Sequence, residues 1–577
     1  MMLSVRFGLF VVILISTVSG IRSVQYKIVE TLNGQIRGIE RRTLLKGVPF
    51  YSFKGIPYAK PPVGDLRLKA PEPIESWTNV LNAFEHRRIC VQPGNLLPSP
   101  FPQSEDCLTL NIYVPADVNS KEKFAVLFFI HGGAYAEGSG NDHYYGPDFI
   151  IENQTILITI NYRLGLLGFL SLDTPEYSGN MGLKDQQLAL KWVHSNIGRF
   201  GGDNKRITVF GQSAGGASIH FHILSAESRK YFHNAIPMSG VADHYWAMSE
   251  HNDHVELAYK IARDLGEPKS THDELIAFLK SAPAEKLDQY STVAVPNVLV
   301  EIVFTPLIER NDAKQPFIID SPEKIYETQE ISVNTLFTMT SSEVVGFISM
   351  FPPLNDFLNN FNISLPFRGL EIPLDSNEYR RLVDEVRRFY FEDNLQNDQA
   401  MKKYVELLSD LNYGYGTDKA VRVHVAKSKG KTYYQRFSVY TKLNAIIPRS
   451  EDVAHIGGAA HFDDIFYLFR SNVAQSIYDE ILNNKDDKES KVITQAIENL
   501  SRIITNFAKY GEPSHKSDPI DGVQPVRNDE VHFIDIMNEG IKTGLSPNQK
   551  VIDFWVSIEQ RAARLSLDLQ KQNKDEL

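Results

Sequence analysis

The feature that most constrains this chain is a five-residue turn that separates a short apolar run from a run of small residues. The turn is Gly211-Gln212-Ser213-Ala214-Gly215, which has the form Gly-x-Ser-x-Gly. Residues 207–210 before it read as a buried strand, and residues 215–219 after it can begin a helix without side-chain bulk. A strand, a sharp turn that exposes a serine hydroxyl, and a helix together make a nucleophile elbow. Because about 0.1–0.2 such pentapeptides are expected by chance in a chain this long, the flanking context carries the prediction.

The rest of the chain places this turn in a sheet of parallel strands. Residues 124–130 and 156–162 are continuous apolar runs, and residues 183–197 have the apolar spacing of a helix. Strands buried on both faces read as continuous apolar runs. Their alternation with helices predicts an α/β fold whose parallel sheet is covered on both faces. Further strand candidates are 335–339 and 432–437, and further helix candidates are 379–391 and 491–510.

Composition narrows the class of partner. The chain has 577 residues, of which 42% are hydrophobic and 23% charged, as in ordinary globular proteins. Its formal net charge is −11, and it has no long basic run. This balance argues against nucleic acid or an anionic membrane as a partner.

The two ends of the chain carry targeting signals. Arg6 precedes an apolar run at 7–15, and small residues at Val18 and Gly20 fit cleavage after residue 20. Residues 1–20 therefore predict a secretory signal peptide; a membrane anchor is the alternative, but the run is short for a bilayer. The last four residues read KDEL, which is an endoplasmic reticulum retention address read by a retrieval receptor. We expect a lumenal protein with no membrane span after cleavage, whose polar tail, residues 565–577, frays beyond about Arg564.

Two further features fit a lumenal location. The only cysteines are Cys90 and Cys107, and an even count in an oxidising compartment predicts a disulfide. Three sequons predict glycosylation sites, although sequons are common by chance; they are Asn153, Asn362 and Asn499.

A serine nucleophile needs a base and an acid that orients the base. In this kind of sheet the three follow in the order serine, acid, histidine, on loops that follow strands. Glu343 follows the strand candidate that ends near residue 339, and His461 lies after the candidate that ends near 437. We assign Glu343 as acid and His461 as base. From the residues alone His455 remains a rival base.

A developing oxyanion needs backbone N–H donors. The segment His131-Gly132-Gly133-Ala134 directly follows an apolar strand and has small residues for this purpose. The predicted donors are the N–H groups of Gly133, Ala134 and Ala214. An ordinary glycine turn between strands is the alternative interpretation.

These motifs resemble the type-B carboxylesterase/cholinesterase family, and most of all insect carboxylesterases. The resemblance covers about residues 25–562. The matching stretches are FKGIPYAKPPVGDLR (53–67), SEDCLTLNIYVP (104–115), NYRLGLLGFL (161–170), the elbow, TSSEVVGF (340–347) and GAAHFDD (458–464). The resemblance implies an α/β-hydrolase fold, with a mostly parallel twisted sheet flanked by helices, over residues 21–564. It also implies Ser213, Glu343 and His461 as the triad, pairs Cys90 with Cys107, and places Trp246 near the acyl pocket.

Two residues depart from the pattern of many relatives. Many relatives have Glu where this chain has Gln212, and the Gln variant resembles juvenile hormone esterases and several other insect esterases. Ala134 stands where many have Gly. Gln cannot supply negative charge near His461, and the alanine methyl changes the shape beside the oxyanion donors.

We therefore expect a serine carboxylesterase that hydrolyses small carboxylic esters through an acyl-enzyme and needs no metal or cofactor. One alternative is a specialised ester hydrolase such as a juvenile hormone esterase, against which the retention tail speaks. A second is a non-catalytic cholinesterase-like adhesion protein, which typically lacks triad members and carries a membrane span.

Overall fold

Seven parallel strands form the middle of one large sheet, as the alternating apolar runs predict. The computed structural model describes residues 25–575, except 117–121, 250–252, 296–297, 371, 392–396, 448, 529 and 547. The predicted signal peptide lies outside the described residues, as do the last two residues of the chain. The strand order is β1-β2-β3-β5-β7-β6-β8-β9-β12-β13-β14-β15, with β4 beside β2. Neighbouring strands are parallel from β7 to β14 and antiparallel at both margins.

The strands of this sheet and of a separate two-stranded ribbon have the following bounds: β1 Tyr26–Glu30, β2 Gln35–Arg42, β3 Pro49–Pro57, β4 Leu81–Asn82, β5 Thr109–Pro115, β6 Phe124–Ile130, β7 Ile156–Ile160, β8 Gly202–Gln212, β9 Asn234–Met238, β10 Val293–Ala294, β11 Glu301–Ile302, β12 Asn334–Thr340, β13 Thr432–Phe437, β14 His532–Met537 and β15 Gly540–Leu545.

The helices cover the sheet and build the rest of the molecule: α1 Asp148–Ile151, α2 Gly165–Phe169, α3 Met181–Asn196, α4 Ala214–Leu224, α5 His254–Asp264, α6 His272–Ser281, α7 Ala284–Asp288, α8 Pro322–Thr328, α9 Leu354–Asn359, α10 Asn377–Tyr390, α11 Asn397–Ser409, α12 Tyr415–Lys427, α13 Ile465–Leu468, α14 Gln475–Asn483, α15 Lys488–Tyr510 and α16 Gln549–Asp575.

Strand β6 shows why a strand in the middle of this sheet has a continuous apolar run. Successive side chains of a strand point to opposite faces. Val126 and Phe128 belong to one core cluster, whereas Leu127 and Phe129 belong to another on the opposite face. Both faces of β6 are therefore buried, and a polar residue on either face would lie in a core.

The last helix differs from expectation. We expected the chain to fray after about Arg564, but α16 continues to Asp575. Ala562 and Ser566 on this helix are buried, whereas Leu567 and Asp568 are exposed. A helix needs no apolar side chains to continue once its earlier turns are packed, so the polar composition of residues 565–575 did not end it.

Two findings bear on the sequence analysis. Cys90 and Cys107 form a disulfide, with their Cα atoms 5.0 Å apart. None of the helices within the described residues is both long enough and apolar enough to span a bilayer.

A buried ion pair fixes the segment after β7 against α3. The Arg163 guanidinium donates to both carboxylate oxygens of Asp185, at 2.7 and 2.8 Å, and the Arg163 backbone N–H donates to the same carboxylate. Both side chains are almost completely buried. Removing one partner would leave the other as an uncompensated charge in the core.

Asp185→Ala should lower the free energy of unfolding by about 3–5 kcal/mol, because the Arg163 guanidinium loses its partner while remaining buried. The half-buried pair Arg206–Asp203, which is in contact with solvent, provides the control. Asp203→Ala should cost under about 1 kcal/mol. Urea unfolding of both variants measures the difference, and equal losses would contradict this account.

Candidate active site

The elbow serine stands at the end of the central strand in a strained conformation. Ser213 has φ 61° and ψ −127°, a combination that few non-glycine residues adopt. Its N–H donates to the Met238 carbonyl at 2.8 Å, and its carbonyl accepts from the Ala217 N–H at 2.9 Å. The turn is thus tied both to β9 and to α4. This strain holds a partly exposed hydroxyl at the carboxyl edge of the sheet.

Glu343 lies just after β12, at the same edge of the sheet. Its side chain is fully buried. Oε1 accepts hydrogen bonds from the Thr340 N–H and the Ser239 hydroxyl, both at 2.7 Å. Oε2 is 2.7 Å from Nδ1 of His461. With both bonds on Oε1 coming from the protein frame, the carboxylate has one orientation, and that orientation faces the imidazole.

The loop that carries His461 is joined to the loop that carries Glu343. The Ser342 N–H donates to the Ala459 carbonyl, and the His461 N–H donates to the Glu343 carbonyl, both at 2.9 Å. These bonds set the Glu343–His461 distance through the backbone. The rival His455 is exposed, and it is separate from this arrangement. The structure therefore brings Glu343 and His461 together at the elbow and leaves His455 outside.

The second nitrogen of the imidazole contacts the residue before the serine. Nε2 of His461 lies 3.1 Å from Nε2 of Gln212. The Gln212 side chain is buried, and its amide oxygen has no hydrogen-bond partner among the described residues. Among the described residues, the Ser213 hydroxyl likewise makes no hydrogen bond. The sequence analysis considered Gln212 only for the charge it lacks and did not anticipate this contact.

The glycine turn after β6 packs directly against Ser213. A Cβ added to Gly132 would lie 2.9 Å from the Ser213 Cβ and 3.0 Å from the Gln212 amide oxygen, so only glycine allows this approach. Gly133 and Ala134 both have positive φ, at 101° and 54°. In the described chain neither of their N–H groups donates to a protein acceptor. The third predicted donor, Ala214, is the first residue of α4, where helical N–H groups have no intrahelical acceptor.

Aromatic rings enclose the imidazole on its other sides. The Tyr413 ring centroid lies 4.7 Å from that of His461, and the Phe347 centroid lies 5.9 Å away. Tyr413 belongs to a π-helical turn, Asp410–Gly414, between α11 and α12. Burial and the nearby Glu343 raise the pKa of Tyr413 well above its usual range, so its phenol is neutral.

Trp246, expected near the acyl pocket, lies one ring further from the base. It is buried, and its Nε1 donates to the Asn412 carbonyl of the π-helical turn at 2.9 Å. Its ring centroid is 5.8 Å from that of Tyr413, which separates it from His461. Trp246 therefore supports the ring that contacts the base. No pattern in the sequence singled out Tyr413, because a single aromatic residue carries no positional signal. Phe347 ends the matching stretch TSSEVVGF, but that stretch gave it no role of its own.

The three sequons differ in accessibility. Asn362 is exposed. The Asn153 amide donates to the Phe149 carbonyl at 2.8 Å. Asn499 is only 6% exposed within helix α15. Because a glycan needs a free asparagine amide on the surface, this burial disfavours the expected site at Asn499, and Asn362 fits best.

Comparisons with known proteins bear on the family, the fold and the enzyme class. The sequence profile described as "Carboxylesterase family" matches residues 25–555. A carboxylic ester hydrolase from Bombus ignitus is 32% identical, with 93% of this chain and 95% of that protein covered. The chain belongs to the carboxylesterase family. Its relatives include carboxylic ester hydrolases, and the predicted fold class and enzyme class are both confirmed.

Juvenile hormone esterases are also similar to this carboxylesterase. The one from Heliothis virescens is 31% identical, over 92% of this chain and 94% of that protein. The crystal structure of juvenile hormone esterase from Manduca sexta, with OTFP covalently attached, superposes with a TM-score of 0.78 at 27% identity. It covers 93% of this chain and 100% of the Manduca protein.

Asp463 and Asp464 directly follow His461 in the chain, and burial raises the pKa of both carboxyl groups. Asp463 accepts from the Ala460 N–H at 2.6 Å and from the Asn444 amide at 2.7 Å. Asp464 is fully enclosed, and one of its oxygens has no partner within the described residues. Burial, with the nearby Glu343 and Asp463, raises the pKa of Asp464 to about 8.

Stability should consequently fall as pH rises through this range. Asp464 ionises near its ordinary value in the unfolded chain but stays protonated in the folded chain up to about pH 8. Folding therefore takes up a proton between about pH 4 and 8, and stability decreases by as much as about 1.4 kcal/mol per pH unit. Asp464→Asn removes this dependence, so its unfolding midpoint should rise relative to the wild type between pH 5 and 8. The exposed Asp486 supplies the control variant Asp486→Asn; an equal pH trend in both variants would overturn the assignment.

Proposed function

We propose that Ser213 is the nucleophile with which this carboxylesterase hydrolyses carboxylic esters, that His461 is its general base, and that Glu343 orients the base. The observation that carries the proposal is the 2.7 Å contact between Glu343 and Nδ1 of His461 beside the strained elbow. A buried carboxylate at Nδ1 keeps the proton on that nitrogen. Nε2 is then left with the lone pair that a general base requires.

The reaction follows from these positions. The Ser213 oxygen attacks the ester carbonyl while its proton passes to Nε2 of His461. The carbonyl oxygen becomes an oxyanion, which the N–H groups of Gly133, Ala134 and Ala214 stabilise. The tetrahedral intermediate expels the alcohol, which takes the proton from His461. A water molecule then gives its proton to His461 and attacks the acyl-enzyme, and Ser213 recovers its proton as the carboxylic acid leaves.

The surroundings of the base favour an ester with apolar groups. Phe347 and Tyr413 present aromatic rings to His461. Such walls exclude water and accept hydrocarbon, whereas no charged side chain other than Glu343 contacts the ring within the described residues. This supports neutral small-molecule esters as substrates.

A juvenile hormone esterase-like specificity is the second candidate. It is supported by the similarity to the Manduca sexta and Heliothis virescens enzymes over nearly the whole chain. The two candidates differ in substrate, since the second predicts that a juvenile hormone ester is hydrolysed with a higher kcat/KM than simple aliphatic or aryl esters. A series of esters with graded acyl and alcohol groups, assayed together with a juvenile hormone, separates them.

Ser213→Ala should abolish nearly all ester hydrolysis, and an organophosphate should label Ser213 alone. His461→Ala should be equally inactive, because no other group near the elbow can accept the serine proton. His455→Ala, at an exposed histidine outside the site, should keep wild-type activity. Kinetics and peptide mass spectrometry check these results; an adduct on another residue would refute the mechanism.

We also propose that the protein resides in the lumen of the endoplasmic reticulum. The signal-like residues 1–20 and the terminal KDEL support this location. The last turns of α16 support access to the tail, since Leu567, Asp568 and Gln570 are exposed. A retrieval receptor is the implied partner.

Deleting residues 574–577 should release active enzyme into the medium without changing kcat, because Asp568 and Gln570, shortly before them in α16, are exposed. Esterase activity in medium and lysate of cells that express either form gives the answer. Equal secretion of the full-length and shortened chains would rule out retention by the tail.

A further inference from the structure

The amide of Gln212 lies between the nucleophile and the base and is used by no step of the mechanism above. Its Nε2 is 3.1 Å from Nε2 of His461, and its oxygen is turned toward Gly132, where it has no hydrogen-bond partner in the described chain. A buried carbonyl without a partner is unfavourable. Among the described residues, the amide of Gln212 therefore makes its hydrogen-bond contact through its N–H groups.

The direction of the Gln212–His461 bond follows from the other side of the ring. Nδ1 of His461 faces the Glu343 carboxylate at 2.7 Å and must carry the proton. Nε2 of the neutral ring is then only an acceptor, and the amide nitrogen of Gln212 is only a donor. The bond consequently runs from the Gln212 N–H to the lone pair of His461 that Ser213 uses.

We propose that Gln212 is a positioning residue that holds Nε2 of His461 by donating a hydrogen bond to its lone pair until the Ser213 hydroxyl takes its place, and that this bond keeps the ring neutral at lower pH. The inference rests on the proposed function, because it concerns the same serine and histidine. The bond exists only while the ring is neutral, since a protonated Nε2 would face the amide as one donor against another. Gln212 thus favours the neutral ring over the imidazolium.

Other groups around the ring do not explain such an effect by themselves. Glu343 contacts Nδ1, on the opposite side. Tyr413 is a neutral phenol, and burial lowers the pKa of His244, which lies behind Tyr413, to about 3. Asp463 and Asp464 follow on the same loop, and burial raises the pKa of both carboxyls. All of these remain in place when Gln212 alone is changed.

The test is the pH dependence of kcat/KM in two variants. Gln212→Met keeps the length of the side chain and removes the donor, so the pH of half-maximal kcat/KM should rise by about half a pH unit to one pH unit. Gln212→Glu replaces the donor by a carboxylate that attracts the imidazolium, and its half-maximal pH should rise further. The rate of organophosphate labelling of Ser213 should show the same displacement.

Gln186 offers a matched control. It is a buried glutamine whose amide oxygen lies 3.0 Å from Nε2 of His222 and whose amide nitrogen donates to the Ser218 hydroxyl on α4. Gln186→Met removes a buried glutamine–histidine contact of the opposite direction, at a histidine other than His461, and should leave the half-maximal pH unchanged. A general loss of packing would affect this variant as much as Gln212→Met.

The possible results distinguish failure of this inference from failure of the proposed function. An unmoved half-maximal pH in active Gln212→Met overturns the inference. A downward displacement also overturns it, because it would mean that the amide oxygen faces Nε2 and favours the imidazolium. Failure of the proposed function has a different signature, namely a wild-type protein that neither hydrolyses esters nor is labelled at Ser213.

Discussion

Two backbone hydrogen bonds between the loop after β12 and the loop of His461 hold the side chains of Glu343 and His461 at contact distance. They join Ser342 to Ala459 and His461 to Glu343. Because both loops leave the carboxyl edge of the same parallel sheet, the side chains need no long reach to meet. The orientation of the imidazole, the approach of Gln212 and the packing of Tyr413 all follow from this backbone connection. Side-chain substitutions alone would not break it.

Burial keeps most neighbours of this pair uncharged. The pKa of His244 is lowered to about 3, that of Asp464 is raised to about 8, and Tyr413 stays a phenol. In a low-dielectric surrounding, further charges would compete strongly with the Glu343–His461 interaction. Neutral neighbours leave the imidazole to respond to the carboxylate on one nitrogen and to the serine and glutamine on the other.

The sequence predicted those features that depend on local pattern. Strand bounds at 124–130 and 432–437 agree with the structure. The first strand is an uninterrupted apolar run because both of its faces are buried. The elbow and the disulfide were equally accessible, and the order of the triad residues was expected from the type of sheet and from the family resemblance. The sequence did not predict the contact of Gln212 with His461, the aromatic neighbours of the imidazole or the burial of Asn499. Each of these depends on residues far apart in the chain. Helix α16 outlasted its apolar pattern for the same reason, since its anchoring lies in earlier turns.

The π-helical turn Asp410–Gly414 has a consequence for how this site tolerates insertions and deletions. A π turn carries one residue more than the α-helical turn it replaces. Removing one residue there would let α11 and α12 continue as one regular helix. Every side chain beyond the deletion would rotate by about 100° and move about 1.5 Å along the axis. The Tyr413 ring would then leave the imidazole, and the carbonyl that receives the Trp246 indole would be drawn into the helix. The length of this segment, more than the identity of its residues, thus sets the position of α11 and α12 relative to His461.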